Sequence, residues 1–341
     1  MVGGLMQKRL NSQKEERPSM RDVAKRAGVS TATVSHVLNK TQCTSEQVTA
    51  RVYEAVNALG YVPNYNARSL RTGKKGIIGF VLPDISNSYF ATIIEEVENV
   101  LGENGYHLII VNTREDEENE EYHIKYLASG VVDALLIAST MHKYERLERL
   151  LPINFPVLLV DRYFENSKYD TVTVSSSQAI YNCIRELFFH NHSKIGFIAG
   201  IPHISTTIDR VKAYQQAMLD FKLPVLDGMV QYGNSMRGSA QKCVETLQKI
   251  ECTAIIVSNG LMSIDAHRYL NNHAGKPMEL VCFDDLEISS FLFAATSTIY
   301  LPARDLGRIA SQQIIKRINE PNRPKQDIIL NCVVNMRINN D

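Results

Sequence analysis

The sequence predicts two kinds of fold in one chain: an all-α helix-turn-helix headpiece and, behind it, an α/β body of doubly wound parallel sheets. Three observations carry this. Residues 19–39, SMRDVAKRAGVSTATVSHVLN, hold two short amphipathic stretches split by Gly28. From Ile77 onward, short apolar runs alternate with amphipathic stretches, the rhythm of buried parallel strands joined by helices. Charge is divided as well: residues 1–76 carry 13 Lys and Arg against 5 Asp and Glu, a net +8, and the remaining 265 residues carry 24 against 32, a net −8.

In the first stretch Ser19 is placed to N-cap a helix. Asp22, three residues on, completes a capping box and puts negative charge where the helix dipole favours it. Val23, Ala24 and Ala27 give a thin apolar face, Gly28 supplies the left-handed residue that ends the helix, and Ser30 caps the next. In that second helix Val34, Val37 and Leu38 recur at helical spacing and face inward. Thr31, Ala32, Thr33, Ser35 and His36 are left outward. Short donors and acceptors at the start of such a helix suit base edges in a major groove. Two short helices split by Gly also occur in many all-α proteins, so the neighbouring segments matter.

Ser45 caps a third helix whose Val48, Val52, Val56 and Leu59 complete a small three-helix core. The next segment, GYVPNYNARSLRTGKKG, is polar and basic. Pro63 disfavours helix just before it, Asn64 can N-cap, residues 65–71 can form about two turns, and Gly73 can stop them. So short a helix is unstable alone in water. It forms when a partner buries Ala67 and Leu70 and complements Arg68 and Arg71. Basic side chains such as Arg21, Lys25, Lys40, Arg51, Lys74 and Lys75 can neutralise phosphates, which gives affinity without sequence information.

In the body, IIGFVL, HLIIVN, ALLIA, PVLLV, KIGFIAG, AIIVSN and ELVCFD read as buried parallel strands. Helical patterns over 89–104, 118–129, 177–190, 208–219, 238–250 and 263–272 separate them. The second set of strands begins near Lys194, about as far along as two sheets require.

DVAKRAGVSTATVSHVLN, followed by GYVPNYNARSL and IIGFVLPDISNSYF, with CFDD and STIY in register near the C-terminus, resembles the LacI/GalR family of bacterial transcriptional regulators. The resemblance covers nearly the whole chain from Ser19. It implies a helix-turn-helix DNA-binding domain over 19–62, a hinge helix and linker over 63–75, and an effector-binding and dimerisation body over 76–341. That body is periplasmic-binding-protein-like: an N-lobe of about 76–174 plus 302–325, and a C-lobe of about 175–297 plus a C-terminal strand. STIYLP, 297–302, is expected to cross back to the first lobe ahead of a helix at 303–318. Residues 1–18 are expected to be a disordered extension.

Carried over residue by residue, the resemblance puts Thr31, Ala32 and His36 on bases and Thr33 and Ser35 nearer the DNA backbone, with Asn39, Tyr61, Asn64, Ala67 and Arg68 completing the contacting set. Where some members carry Arg, His36 makes a weaker, tautomer-dependent contact with guanine; a phosphate contact is its alternative. Leu70 matches the hinge leucine that wedges into a central base step, where unstacking is offset by a bent duplex touching more protein. Tyr89, Phe90, Arg162, Asn259 and Asp284 match positions where relatives hold a sugar, nucleoside or purine. Gly260 stands where an Asp usually follows the Asn, and Ile204 where many relatives place a ligand-clamping Arg. Arg210 could serve in place of that Arg but is better suited to supporting its helix. A pocket degraded in this way also fits control by a phosphorylated carrier protein.

Other classes find less support. No GxSxG, HExxH or Walker motif is present, and GKKGIIG puts its basic residues before the first strand, the wrong side for a phosphate loop. An enzyme is therefore not expected, nor catalytic residues, a metal or a cofactor; His190 and His192 read as complements to a helix dipole. A solute-binding protein without DNA activity would need export, and residues 1–18 lack the apolar core of a signal peptide. No apolar run is long enough to span a membrane. The six cysteines form no CxxC pair and read as reduced small hydrophobes in a cytoplasmic protein. One headpiece reads one half-site, so two-fold symmetry implies a homodimer on an inverted repeat. VVNMRINND shows no leucine heptad, giving a dimer as the expectation.

Overall fold

The structure, a computed structural model, describes residues 18–39, 42–62, 73–273, 277–284 and 296–337. Asn64, Ala67, Arg68 and Leu70 of the expected hinge helix lie outside the described residues, as do residues 1–17 of the extension expected over 1–18. The chain divides into two compact units between Lys74 and Lys75.

The headpiece is three helices: α1 (Met20–Ala27), α2 (Thr31–Asn39) and α3 (Glu46–Leu59). The capping box forms, with Ser19 N–H donating to Asp22 Oδ2 at 2.8 Å and Asp22 N–H to Ser19 Oγ at 3.4 Å. Gly28 ends α1 at φ +63°, a left-handed conformation that only glycine adopts without strain. Ser30 Oγ accepts from Thr33 N–H at 3.0 Å and Ser45 Oγ from Val48 N–H at 3.4 Å. Val23, Ala24, Ala27, Val34, Val37, Val52 and Ala55 form the buried core between the helices.

The body is built from two six-stranded sheets. The first contains β1 (Ile77–Leu82), β2 (His107–Asn112), β3 (Ala134–Ile137), β4 (Val157–Asp161), β5 (Asp170–Ser175) and β11 (Asp327–Asn331), all parallel, in the order β11-β5-β4-β3-β1-β2. The second contains β6 (Ile195–Ala199), β7 (Val230–Tyr232), β8 (Ala254–Val257), β9 (Glu279–Asp284), β10 (Ser297–Tyr300) and β12 (Val333–Asn335), in the order β12-β10-β9-β8-β6-β7, with β12 antiparallel. Each sheet repeats one doubly wound order, in which the first strand of the set is flanked by the second and the third. Alternate residues of one strand serve opposite faces: Phe80 and Leu136 pack with Ile93 of α4 (Ser88–Glu103), while Val81 and Leu135 pack with Ile124 of α5 (Glu117–Ala128). Coverage on both faces is why these strands are apolar throughout.

The remaining helices among the described residues are α6 (Tyr144–Leu150), α7 (Ser177–Phe189), α8 (Ser205–Asp220), α9 (Gln241–Lys249), α10 (Gly260–Asn272) and α11 (Ala303–Asn319). α11 packs along α4, and Gly307 allows it: a Cβ there would sit 2.7 Å from the Ile93 carbonyl oxygen. Among the described residues three short segments join the lobes, at Ser176, 301–302 and Cys332, and Cys332 N–H donates to Ser175 O at 3.2 Å.

Several details differ from expectation. β10 pairs with β9 inside the second sheet, so the crossing comes at 301–302 and the second lobe runs past 297 to Tyr300. β11 pairs with β5, which carries the first lobe past 325 to Asn331. Asp170 anchors that return, its carboxylate accepting from Arg317 Nε and Nη2, from Arg323 Nη2 and from Gln326 N–H at 2.6–2.9 Å. Burial pushes the Asp170 carboxyl up, but these donors, Arg317 first, hold it below its ordinary value. β5, β7 and α6 carry no strong periodic signal: β5 alternates Thr with Val although it is buried, and β7 is three residues long. Among the described residues no helix is long and apolar enough to cross a membrane, and no group of His, Cys, Asp and Glu is placed to hold a metal ion.

Candidate functional site

The headpiece offers a surface and the body a cleft. On α2, Thr31 and Ala32 are exposed and Thr33, Ser35, His36 and Asn39 half-buried. Two of these side chains are held locally: Thr33 Oγ1 lies 2.9 Å from Ser30 Oγ, and Asn39 Nδ2 donates to Ser35 O at 2.7 Å and Ser35 Oγ at 3.2 Å. The helix therefore presents short polar groups whose rotamers are already narrowed. Tyr61, expected among the DNA contacts, packs in the headpiece core at 8% exposure, and burial raises its phenol pKa. This is a packing role the sequence reading did not give it.

The cleft lies between the lobes, at the carboxyl ends of β1, β4, β6, β8 and β9, where open parallel sheets place their ligands. It is a narrow cavity of about 50 Å³. Tyr89, Phe90, Arg162 and Asn259 all line it, so four of the five expected effector residues come together. The fifth, Asp284, ends β9, and its side chain lies outside the described residues. The Asn259 amide oxygen is already occupied, accepting from Met262 N–H at 3.0 Å as the N-cap of α10.

Five charged side chains, Asp84, Glu115, Asp161, Arg162 and Arg210, stand in the lining. Arg162 donates to both carboxylate oxygens of Glu115, at 2.6 and 2.8 Å, and to Ser139 O at 3.2 Å. Burial disfavours that guanidinium's charge, but Glu115 more than offsets the effect and its pKa is raised. Tyr89 Oη donates to Asp161 Oδ1 at 2.8 Å, and burial, then Asp161, drives the phenol pKa well up. The Asp161 carboxyl is itself raised by burial, against the pull of Arg210 and Arg162. Arg210 donates to Ser258 O at 2.6 Å and lies 4.5 Å from the centre of the Phe283 ring. These contacts tie α8 to the ends of β8 and β9, and Arg210 lines the cleft. Ile204, buried at 4%, leaves the position of the missing clamp apolar.

Sequence reasoning missed Asp84, Glu115 and Asp161. Glu115 and Asp161 sit at positive φ, +57° and +66°, a strain that clusters at binding sites and that no local residue pattern announces. The lobes also bond across the mouth of the cleft. Tyr163 N–H donates to Ser205 Oγ at 3.0 Å, Tyr163 Oη to the Asp209 carboxylate at 3.0 Å, and His203 Nε2 lies 3.0 Å from Thr140 O.

Residues 75–335 match the family described as periplasmic binding proteins and sugar binding domain of LacI family, and residues 19–64 match bacterial regulatory proteins, lacI family. The HTH-type transcriptional repressor PurR of Aliivibrio fischeri is 30% identical over 317 residues, 90% of this chain and 94% of that one. PurR of Haemophilus influenzae is 30% identical over 305 residues, 88% and 91% of the two chains. Among solved structures, the lac repressor bound to ONPG in the repressed state superposes with a TM-score of 0.81 at 20% identity, covering 94% of this chain and 99% of that one. The transcriptional regulator CelR in complex with cellobiose gives 0.70 at 22% identity, with the same coverage. Family matches running from Ser19 to Asn335 and a relative at 30% identity along nine-tenths of the chain place it in the LacI family of bacterial regulatory proteins, as a DNA-binding transcription regulator with a periplasmic-binding-protein-like body.

Proposed function

We propose that this regulator is a repressor that grips a palindromic operator as a homodimer and is controlled by a small molecule in the interlobe cleft: a sugar, a sugar derivative, a nucleoside or a purine. One observation carries the reading: the chain joins a helix presenting short polar side chains to solvent with a buried polar cleft between two sheets. In the headpiece, Thr31, Ala32 and His36 read base edges while Thr33, Ser35 and Asn39 sit toward the DNA backbone. Asn64, Ala67, Arg68 and Leu70 form a hinge segment that coils on the minor groove. In the cleft, Tyr89, Phe90 and Arg162 from the first lobe and Asn259 and Asp284 from the second hold the effector, and the three connections between lobes let its binding alter their angle.

A gel-shift titration tests the DNA half. The expected result is binding selective for an inverted repeat, two chains per site, with an affinity that falls steeply as salt rises. Binding indifferent to sequence symmetry would sink it. Leu70→Ala is expected to weaken operator binding while the body melts unchanged; undiminished operator affinity removes the wedge.

A further inference from the structure

We propose that the cleft selects an uncharged, hydroxyl-bearing ligand and rejects phosphate esters, with Asp84 reading a hydroxyl donor. This rests on the cleft being the effector site and narrows what that site accepts.

Two buried side chains lining the cleft each leave one polar atom without a hydrogen-bond partner. Asp84, 7% exposed, accepts Ser86 N–H through Oδ1 at 2.8 Å, while Oδ2 has none. Arg162, 8% exposed, spends both terminal nitrogens on Glu115 and leaves Nε without an acceptor. Leaving such groups unmet costs free energy, and native proteins keep them where a ligand completes them. One is an acceptor and the other a donor. A hydroxyl both gives and takes a hydrogen bond, so a polyol can satisfy both without carrying charge.

The charge balance excludes the esters. Asp84, Glu115 and Asp161 face Arg162 and Arg210 in the lining, a net −1. Neither cation is idle: Arg162 is chelated by Glu115, and Arg210 is bound to Ser258 O over the Phe283 ring. A phosphate group entering this cleft would meet three carboxylates against two guanidiniums, one of them already ion-paired with Glu115.

Thermal-shift titration of the full chain with matched pairs tests the proposal: fructose and fructose 1-phosphate, ribose and ribose 5-phosphate, adenosine and its 5′-monophosphate, with cellobiose beside them. At least one neutral compound is expected to raise the midpoint, and no ester to match its partner. Asp84→Asn keeps the acceptor for Ser86 but loses the charge. It is expected to weaken binding of that neutral compound roughly tenfold or more, while the unliganded midpoint holds or rises, because an unmet buried charge is gone. An ester that binds better than its neutral partner overturns the charge argument and leaves the cleft standing as effector site. Silence from every compound of both kinds overturns the proposal and the cleft reading together. Neutral binding undiminished in Asp84→Asn removes Asp84 from its role. The paired arm uses unaltered protein, so it decides even where the variant fails to fold.

Discussion

The headpiece surface and the body cleft are built on opposite plans. On α2 the bonds that orient the side chains run three or four residues along the chain, as from Asn39 to Ser35 and between Ser30 and Thr33. In the cleft, Glu115 meets Arg162 across 47 positions, Arg210 reaches Ser258 across 48 and Tyr89 reaches Asp161 across 72. A reading surface made of neighbours can be altered one residue at a time. A cleft assembled from distant strand ends fails or changes as a network.

The hardest break in the comparison is at the headpiece core. Val52 is fully buried between three helices, so Val52→Asp places an unpaired charge there and is expected to cut operator affinity by about a hundredfold or more. Calorimetry should show the body melting unchanged; a body that melts earlier would show that the two units depend on each other. Next comes the cleft network. Arg162→Ala strands Glu115 with its side chain only 9% exposed, and the expected loss of body stability is about 3–5 kcal/mol. Removing Glu115 as well should restore part of that loss, and denaturant unfolding of the two single variants and the double variant measures the coupling.

Glu120 sharpens the contrast through pH. Its buried carboxylate accepts from Ser139 Oγ and Thr140 N–H, both at 2.6 Å, yet burial outweighs these bonds and raises its pKa to about 7 from 4.5. The folded body therefore holds a proton that the unfolded chain has released between those values. Stability from this group is complete below pH 4.5 and is lost as pH rises through about 7. Thermal midpoints across this range should fall as pH rises, and Glu120→Gln should flatten the slope; an unchanged slope would assign it to other groups. Asp170 works in the reverse sense. Its carboxyl is held below 3.8, so its contribution is present above that value and disappears as pH drops further. The smallest change is on the surface: Thr31→Ala is expected to alter base preference at one operator position by about 1–3 kcal/mol with no change in melting. A uniform loss across all sequences would move Thr31 to the phosphate backbone.

The same contrast explains what could be read from the sequence. Ser19, Asp22, Gly28, Ser30 and Ser45 announce the headpiece because capping chemistry is local, and seven apolar runs announce the sheets, most of them because both faces are covered, although the edge strand β2 is only partly buried. The strands that were missed are those whose burial comes from their position in the sheet: Asp170–Ser175 alternates Thr with Val and is still buried at five of six positions. Tyr89, Phe90, Arg162 and Asn259 were found through resemblance and do line the cleft. Glu115 was not, because nothing within a few residues of it shows that Arg162 will meet it, and Asp84 was not, because its burial comes from the assembled cleft. Tyr61, expected among the DNA contacts, also packs in the headpiece core, a role that only the three-helix packing reveals.

The exchange of strands β11 and β12 has a consequence for how the protein is made. Thr171 in β5 waits for Asp327, 156 positions later, to cover its edge, and β12 closes the other sheet only a few residues after that. During synthesis, the first half of the body is complete in every other strand while its border stays open, with unpaired amides and carbonyls available to any passing chain. Neither lobe can mature ahead of the other. The strands that complete the two sheets follow one another directly in the chain, so both sheets wait on the same late segment.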